Sequence, residues 1–199
     1  MFRFIETICY EQRRFHRIEL HNERLNRTRT HFFGKLPEIR LELLLSVPAV
    51  LINETVKCTV TYGIEISDIE YTVYTVRQIK SLKLVSDNAI DYAFKYADRS
   101  IFKTMLQNNL QYDDILIVKN GLLTDISYAN AIYLRENTWY SQQNPLLFGT
   151  RLQSYVREGR VTPALLTPAD LIRFSEVRII NAMISIENSP VIPIEAVFN

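Results

Sequence analysis

A mixed α/β chain of two lobes, a small α+β lobe over residues 1–84 and a larger lobe over residues 85–199, is predicted by three features of the sequence. The first half carries period-two runs rich in Val, Ile, Thr and Tyr, the mark of half-buried strands. The second half alternates helix-periodic segments with short, wholly apolar ones. Between them, residues 82–88 read as the connector where the pattern changes.

FRFIETICYE reads as the first strand and EQRR as the turn that follows it. IELHNERLNRTRTHFF sets Ile18, Leu20 and Leu25 on a charged background, which predicts an amphipathic helix. VKCTVTYGIEI and IEYTVYTVRQI predict two antiparallel strands joined near residues 63–68. AIDYAFKYADRSIFKTMLQNN is helical by spacing, and DDILIVKNG is a buried strand closed by a turn at Asn120-Gly121. LLTDISYANAIYLRENTWY continues as strands with a hairpin near Glu136-Asn137. TRLQSYVREG predicts a short helix with Thr150 as its N-cap and Gly159 as its stop. TPADLIRFSEV begins with a capping box of Thr167 and Asp170 around Pro168, and VRIINAMIS is a further buried strand.

Composition removes several function classes. Apolar residues make up 47% of the 199, enough for a core. A net charge of +1, from 23 basic and 22 acidic residues, argues against nucleic acid or an anionic membrane as the partner. The longest apolar run, residues 41–52, is too short for a span and contains Glu42 and Pro48. The N-terminus lacks a signal-peptide core. Cys9 and Cys58 form no spaced pair, and His16, His21 and His31 no ligand motif, so no metal site and a reducing cytoplasm are expected.

Four features invite chemistry, each with an ordinary reading beside it. Lys95, between Phe94 and Tyr96 in DYAFKYADRS, is either a solvated lysine or an amine desolvated by aromatics and made nucleophilic. Asp125 in LLTDISYAN is a turn acid or a placed carboxylate. Arg24 in HNERL is a surface charge or an anion ligand. Gly149 and Thr150 in PLLFGTR open a helix whose free N–H groups suit a phosphate. A phosphate, a pyridinium nitrogen and an aldehyde would use all four, and pyridoxal phosphate carries those three handles.

FIETICYEQRRFHRIELHNERL, FKYADR, NGLLTDISYAN, PLLFGTR, EGRVTPALLTPADL and EVRIINAMIS follow one another from Phe4 to Ser185. In that order the chain resembles the class IV, or fold type IV, pyridoxal-phosphate enzymes, with the fold of the D-amino-acid aminotransferases. These include branched-chain and D-amino-acid aminotransferases and 4-amino-4-deoxychorismate lyases. The resemblance implies that Lys95 is the Schiff-base lysine, with Phe94 and Tyr96 walling its pocket, and that Arg24, of the H-x-x-R-L pattern, binds phosphate. It places Asp125 where the family has a glutamate at the pyridine nitrogen, and Gly149 and Thr150 in the phosphate-binding turn. Asn181 falls at a third phosphate-side position, and Leu146 packs against the ring face. INAM, residues 180–183, is similar to the lyase branch, where aminotransferases carry a Gly-Thr pair.

The chain departs from the family at three points. A D-R-G-x-x-Y-G-D-G segment does not precede Phe4, Ser100 replaces an aminotransferase tyrosine, and VTYGIEI replaces an R-G strand motif. The chain is thus expected to be an N-terminally shortened member. The resemblance implies a cytoplasmic homodimer acting on a small-molecule amine. The first expectation is a lyase that converts 4-amino-4-deoxychorismate to 4-aminobenzoate and pyruvate, a step towards folate. The alternatives are an aminotransferase for a branched-chain or D-amino acid, and a non-catalytic cofactor-binding relative.

Overall fold

A computed structural model describes residues 2–199 of the chain. It divides into two units: the residues up to Thr75 together with Phe94–Asp98, and Val76–Ala93 together with Arg99–Asn199. The boundary expected at 84/85 falls inside the second unit, and Lys95 belongs to the first.

In the first unit, strands β1 (Phe4–Glu11), β2 (Arg14–Phe15), β3 (Val56–Tyr62) and β4 (Ile66–Val73) form an antiparallel sheet in the order β2-β1-β3-β4. Helix α1 (Ile18–Phe33) contributes Leu20, His21, Arg24 and Leu25 as buried residues. Alternation places Val56, Cys58, Val60 and Tyr62 of β3 inside, and Phe4, Glu6, Ile8 and Tyr10 of β1 likewise. Gln12 and Arg13, both with positive φ, make the two-residue turn between β1 and β2, as a primed hairpin requires.

The helix expected over residues 89–109 is only partly formed: α2 spans Ser100–Gln107. Residues 95–97 instead lie beside β1, joined to it by an isolated bridge at Tyr96. Ile5 N–H donates to the Lys95 carbonyl at 2.9 Å, Ala97 N–H donates to the Arg3 carbonyl at 2.9 Å, and Tyr96 bridges Phe4. The reason is the open edge of β1. There β2 covers only Tyr10 and Glu11, so the backbone groups near residue 5 take partners from residues 95–97. Phe94 and Tyr96 are half-buried and pack against the core, with ring centroids 4.8 Å from Phe32 and 5.3 Å from Phe4, respectively.

The second unit holds a nine-stranded sheet. Its strands are β5 (Leu82–Ser86), β6 (Asp114–Lys119), β7 (Leu122–Ile126), β8 (Asn130–Arg135), β9 (Thr138–Gln142), β10 (Val161–Ala164), β11 (Glu176–Ile180), β12 (Val191–Pro193) and β13 (Val197–Phe198). The main path runs β10-β9-β8-β7-β6-β5-β13, with β11 and β12 branching from β8. Residues 82–86, expected within a connector, are strand β5, parallel to β6 and β13. The apolar run of β6 is buried along both faces, as such a run predicts. Helix α3 (Thr150–Arg157) has Gly149, not Thr150, as its N-cap, so Thr150 is the first helical residue. The Thr167–Asp170 capping box forms, but it opens a 3-10 helix over Pro168–Arg173. Among the described residues no helix is long and apolar enough to cross a membrane.

Candidate functional site

Glu6 is fully buried on the apolar face of β1, so it needs a partner to be there at all. Arg24 supplies it in a two-pronged pair, Nε to Oε1 at 2.8 Å and Nη2 to Oε2 at 2.6 Å. His21, one turn before Arg24 on α1, lies with Nδ1 2.6 Å from Glu6 Oε2. Burial alone would raise the Glu6 pKa, but Arg24 and His21 outweigh it and hold it at about 2. Burial, with Arg24 and Arg17, outweighs Glu6 at His21 and keeps its pKa below the ordinary value. At neutral pH the imidazole is therefore neutral and donates from Nδ1 to the carboxylate.

This overturns the surface reading of Arg24, which is 5% exposed. The signal was in the sequence: Phe4, Glu6, Ile8 and Tyr10 share one face of a strand, and a carboxylate among them demands a buried cation. Lys95 is half-buried in the same unit, and its carbonyl is tied to Ile5, the neighbour of Glu6. The lysine is thus held by a strand edge rather than by a helix.

In the second unit Asp125 and Asn130 face each other across β7 and β8. Asn130 Nδ2 donates to Asp125 Oδ1 at 2.7 Å and to the Leu147 carbonyl at 2.8 Å. Leu147 N–H donates to Asp125 Oδ2 at 2.9 Å. Both oxygens of a buried carboxylate therefore accept, the pattern an anion makes. Asn130 also explains Gly149: a Cβ there would stand 2.4 Å from Asn130 Oδ1. Asp125, the loop carrying Leu146, and the start of α3 are so assembled around one amide. Thr150 is buried at the first turn of α3.

Asn181 lies just beyond β11 and uses Oδ1 to accept from the N–H groups of Met183 and Ile184, at 2.8 and 3.0 Å. Arg151 of α3 donates from Nε to the Asn181 carbonyl at 2.7 Å and from Nη2 to the Ala182 carbonyl at 2.9 Å. The turn at residues 181–184 is thereby fastened to the helix that Gly149 opens. Asn130 and Arg151 were not foreseen, since a polar side chain in YANAIY or GTRLQ carries no pattern of its own. Asp125, Leu146, Gly149, Thr150 and Asn181 stand in the second unit; Lys95 and Arg24 stand in the first.

Buried paired charges stand in one unit, and a buried carboxylate tied to a glycine-opened helix stands in the other. No family model matches the chain. An uncharacterized protein of Haemophilus influenzae is 32% identical over 185 residues, which are 92% of this chain and 98% of that protein. A crystal structure from Haemophilus somnus 129pt, provisionally named a 4-amino-4-deoxychorismate lyase, is 26% identical. It matches with a TM-score of 0.86 over 92% of this chain and 97% of that one. A structure from Mesorhizobium loti, provisionally named an amino-acid aminotransferase, shares the fold at TM-score 0.77 and 18% identity, over 97% of this chain and 98% of its own. The chain belongs to the class IV, fold type IV, pyridoxal-phosphate family and is an enzyme of its lyase and aminotransferase kind.

Proposed function

We propose that the protein is a pyridoxal-phosphate lyase that releases 4-aminobenzoate and pyruvate from 4-amino-4-deoxychorismate. The observation that carries this reading is the match over 92% of the chain, at TM-score 0.86, to the Haemophilus somnus protein provisionally given that name. The donor chemistry fits the cofactor. A buried carboxylate with both oxygens hydrogen-bonded suits a pyridinium nitrogen, and a glycine that tolerates no Cβ leaves backbone N–H groups at a helix start for a phosphate.

Bound pyridoxal phosphate supplies an electron sink for the carbanion developing at the substrate α-carbon. In the proposed roles, Lys95 Nζ would hold the cofactor aldehyde, and the same amine would serve as the general base for the substrate α-proton. Asp125 keeps the ring nitrogen protonated and is itself held by Asn130 and the Leu147 N–H. Arg24, Thr150, Asn181 and the Gly149 backbone would hold the phosphate, and Leu146 would pack against the ring. Glu6 fixes the guanidinium plane of Arg24 through two hydrogen bonds, which sets the direction of its remaining contacts. We further assign the protein to a cytoplasmic homodimer serving folate synthesis.

The test is to incubate purified protein with 4-amino-4-deoxychorismate and quantify 4-aminobenzoate and pyruvate. Equimolar release is expected. Failure there, with keto-acid formation from a branched-chain or D-amino acid plus 2-oxoglutarate, would assign an aminotransferase instead.

A further inference from the structure

The hairpin of β1 and β2 gathers three donor side chains that the cofactor roles leave unused. Cys9 Sγ, a Glu11 carboxylate oxygen and a His16 ring nitrogen all lie within 4.8 Å of one another. Their placement follows from the hairpin. Cys9 and Glu11, two apart, share a face of β1. The register Tyr10↔Phe15 continues so that His16 stands across from Cys9, and the His16 N–H donates to the Cys9 carbonyl at 2.8 Å. The two-residue turn at Gln12 and Arg13 leaves the pairing little freedom.

We propose that Cys9, Glu11 and His16 form a three-ligand site for a divalent transition cation of the zinc class, with a fourth position open to water. Thiolate, imidazole and carboxylate together match borderline-soft Zn²⁺ rather than Mg²⁺ or Ca²⁺. A tetrahedral zinc with bonds of about 2.0–2.3 Å needs donors about 3.3–3.8 Å apart, so side-chain adjustments of about an ångström close the set. His16 Nε2 is buried and has no hydrogen-bond partner among the described residues, an arrangement a metal would satisfy. Thr55 Oγ1 donates to Glu11 Oε1 at 3.0 Å and so orients the carboxylate. Cys9 is 2% exposed while Glu11 is exposed, so an ion would enter from the Glu11 side. Arg14 and Arg17 act on His16 electrostatically and oppose a cation; the two anionic ligands answer them by neutralising the dication.

Zn²⁺ itself is the probe. The full-length protein, cofactor retained and stripped of metal with a chelator, is dialysed against Zn²⁺; bound metal is then counted and its shell read by X-ray absorption. One equivalent with a single sulfur neighbour is expected. Cys9→Ser should remove the sulfur signal, and His16→Ala and Glu11→Gln should each weaken binding by roughly ten-fold or more. Cys58→Ser should change neither, because Cys58 points into the core. A wild-type shell of nitrogen and oxygen only, binding well below one equivalent, or equal binding by Cys9→Ser overturns the site. If Cys9→Ser fails to fold, the presence or absence of sulfur in the wild-type shell decides alone.

Discussion

Asn130 donates to Asp125 Oδ1 at 2.7 Å with the same Nδ2 that holds the Leu147 carbonyl. One amide thus joins the first residue of β8 to the acid of β7 and to the loop before α3. Asn130→Ala should destabilise the protein by about 1–3 kcal/mol, the cost of leaving buried acceptors unpaired, measured by urea unfolding. A change under about 0.3 kcal/mol would mean that water or another donor replaces the amide.

The close approach of Asn130 to residue 149 predicts a coupling. Gly149→Ala places a Cβ 2.4 Å from Asn130 Oδ1 and should destabilise by about 1–3 kcal/mol through overpacking. Adding Asn130→Ala removes the obstacle, so the double variant should be more stable than the sum of the single changes allows. Strict additivity in the double-mutant cycle would show that the two positions do not meet.

Glu6 should govern acid unfolding of the first unit. Its pKa is depressed from 4.5 to about 2 in the fold, so its stabilisation is complete above about pH 4.5 and is lost as pH falls towards 2. Over that window the wild type should lose on the order of 3 kcal/mol through this group. Glu6→Gln should start lower at pH 7, because the buried Arg24 charge loses its carboxylate, and should show a flatter acid limb. A parallel acid limb in the variant would place the titration elsewhere.

Lys95→Ala should abolish the visible absorbance of lysine-bound cofactor. Asp125→Asn should retain the cofactor while turnover falls by roughly a hundred-fold or more, because the neutral amide cannot hold the ring proton. An unchanged spectrum in Lys95→Ala would remove that residue from the site. Near-wild-type turnover in Asp125→Asn would give the ring nitrogen another partner.

Tyr133 is fully buried in β8, and its hydroxyl has no hydrogen-bond partner among the described residues. Burial, then Asp125, pushes its pKa well above that of an ordinary phenol, so the ring stays neutral at any working pH. Tyr133→Phe should leave the unfolding midpoint unchanged or raise it, by up to about 1 kcal/mol. A loss larger than that would reveal a water-mediated partner for the hydroxyl.

Strand periodicity read β1 and β3 correctly, because alternation reports which face of a strand is buried. The strand at residues 82–86 was missed, and helical spacing misread residues 89–99. LKLVS is short, and its strand character depends on parallel partners far along the chain, β6 and β13. YAFKYADRS has a helical spacing of apolar residues, but an open edge of β1 takes its backbone instead. The clue to Glu6 lay in the alternation, whereas nothing local marks Asn130 or Arg151.

Motif order along the chain was enough by itself to point to the family, and with it to Lys95, Arg24 and Asp125 as residues of interest. Residue type and spacing survive in a linear string, so they could be read there. Only the tertiary structure decided how those residues are held. It set Lys95 on a strand edge, locked Arg24 to Glu6 with His21 beside it, and tied Asp125 and the Gly149 turn to Asn130. These are choices of partner for buried polar groups between residues up to 90 positions apart. Such choices depend on which groups lose water together when the chain packs, and a sequence does not contain that until it folds.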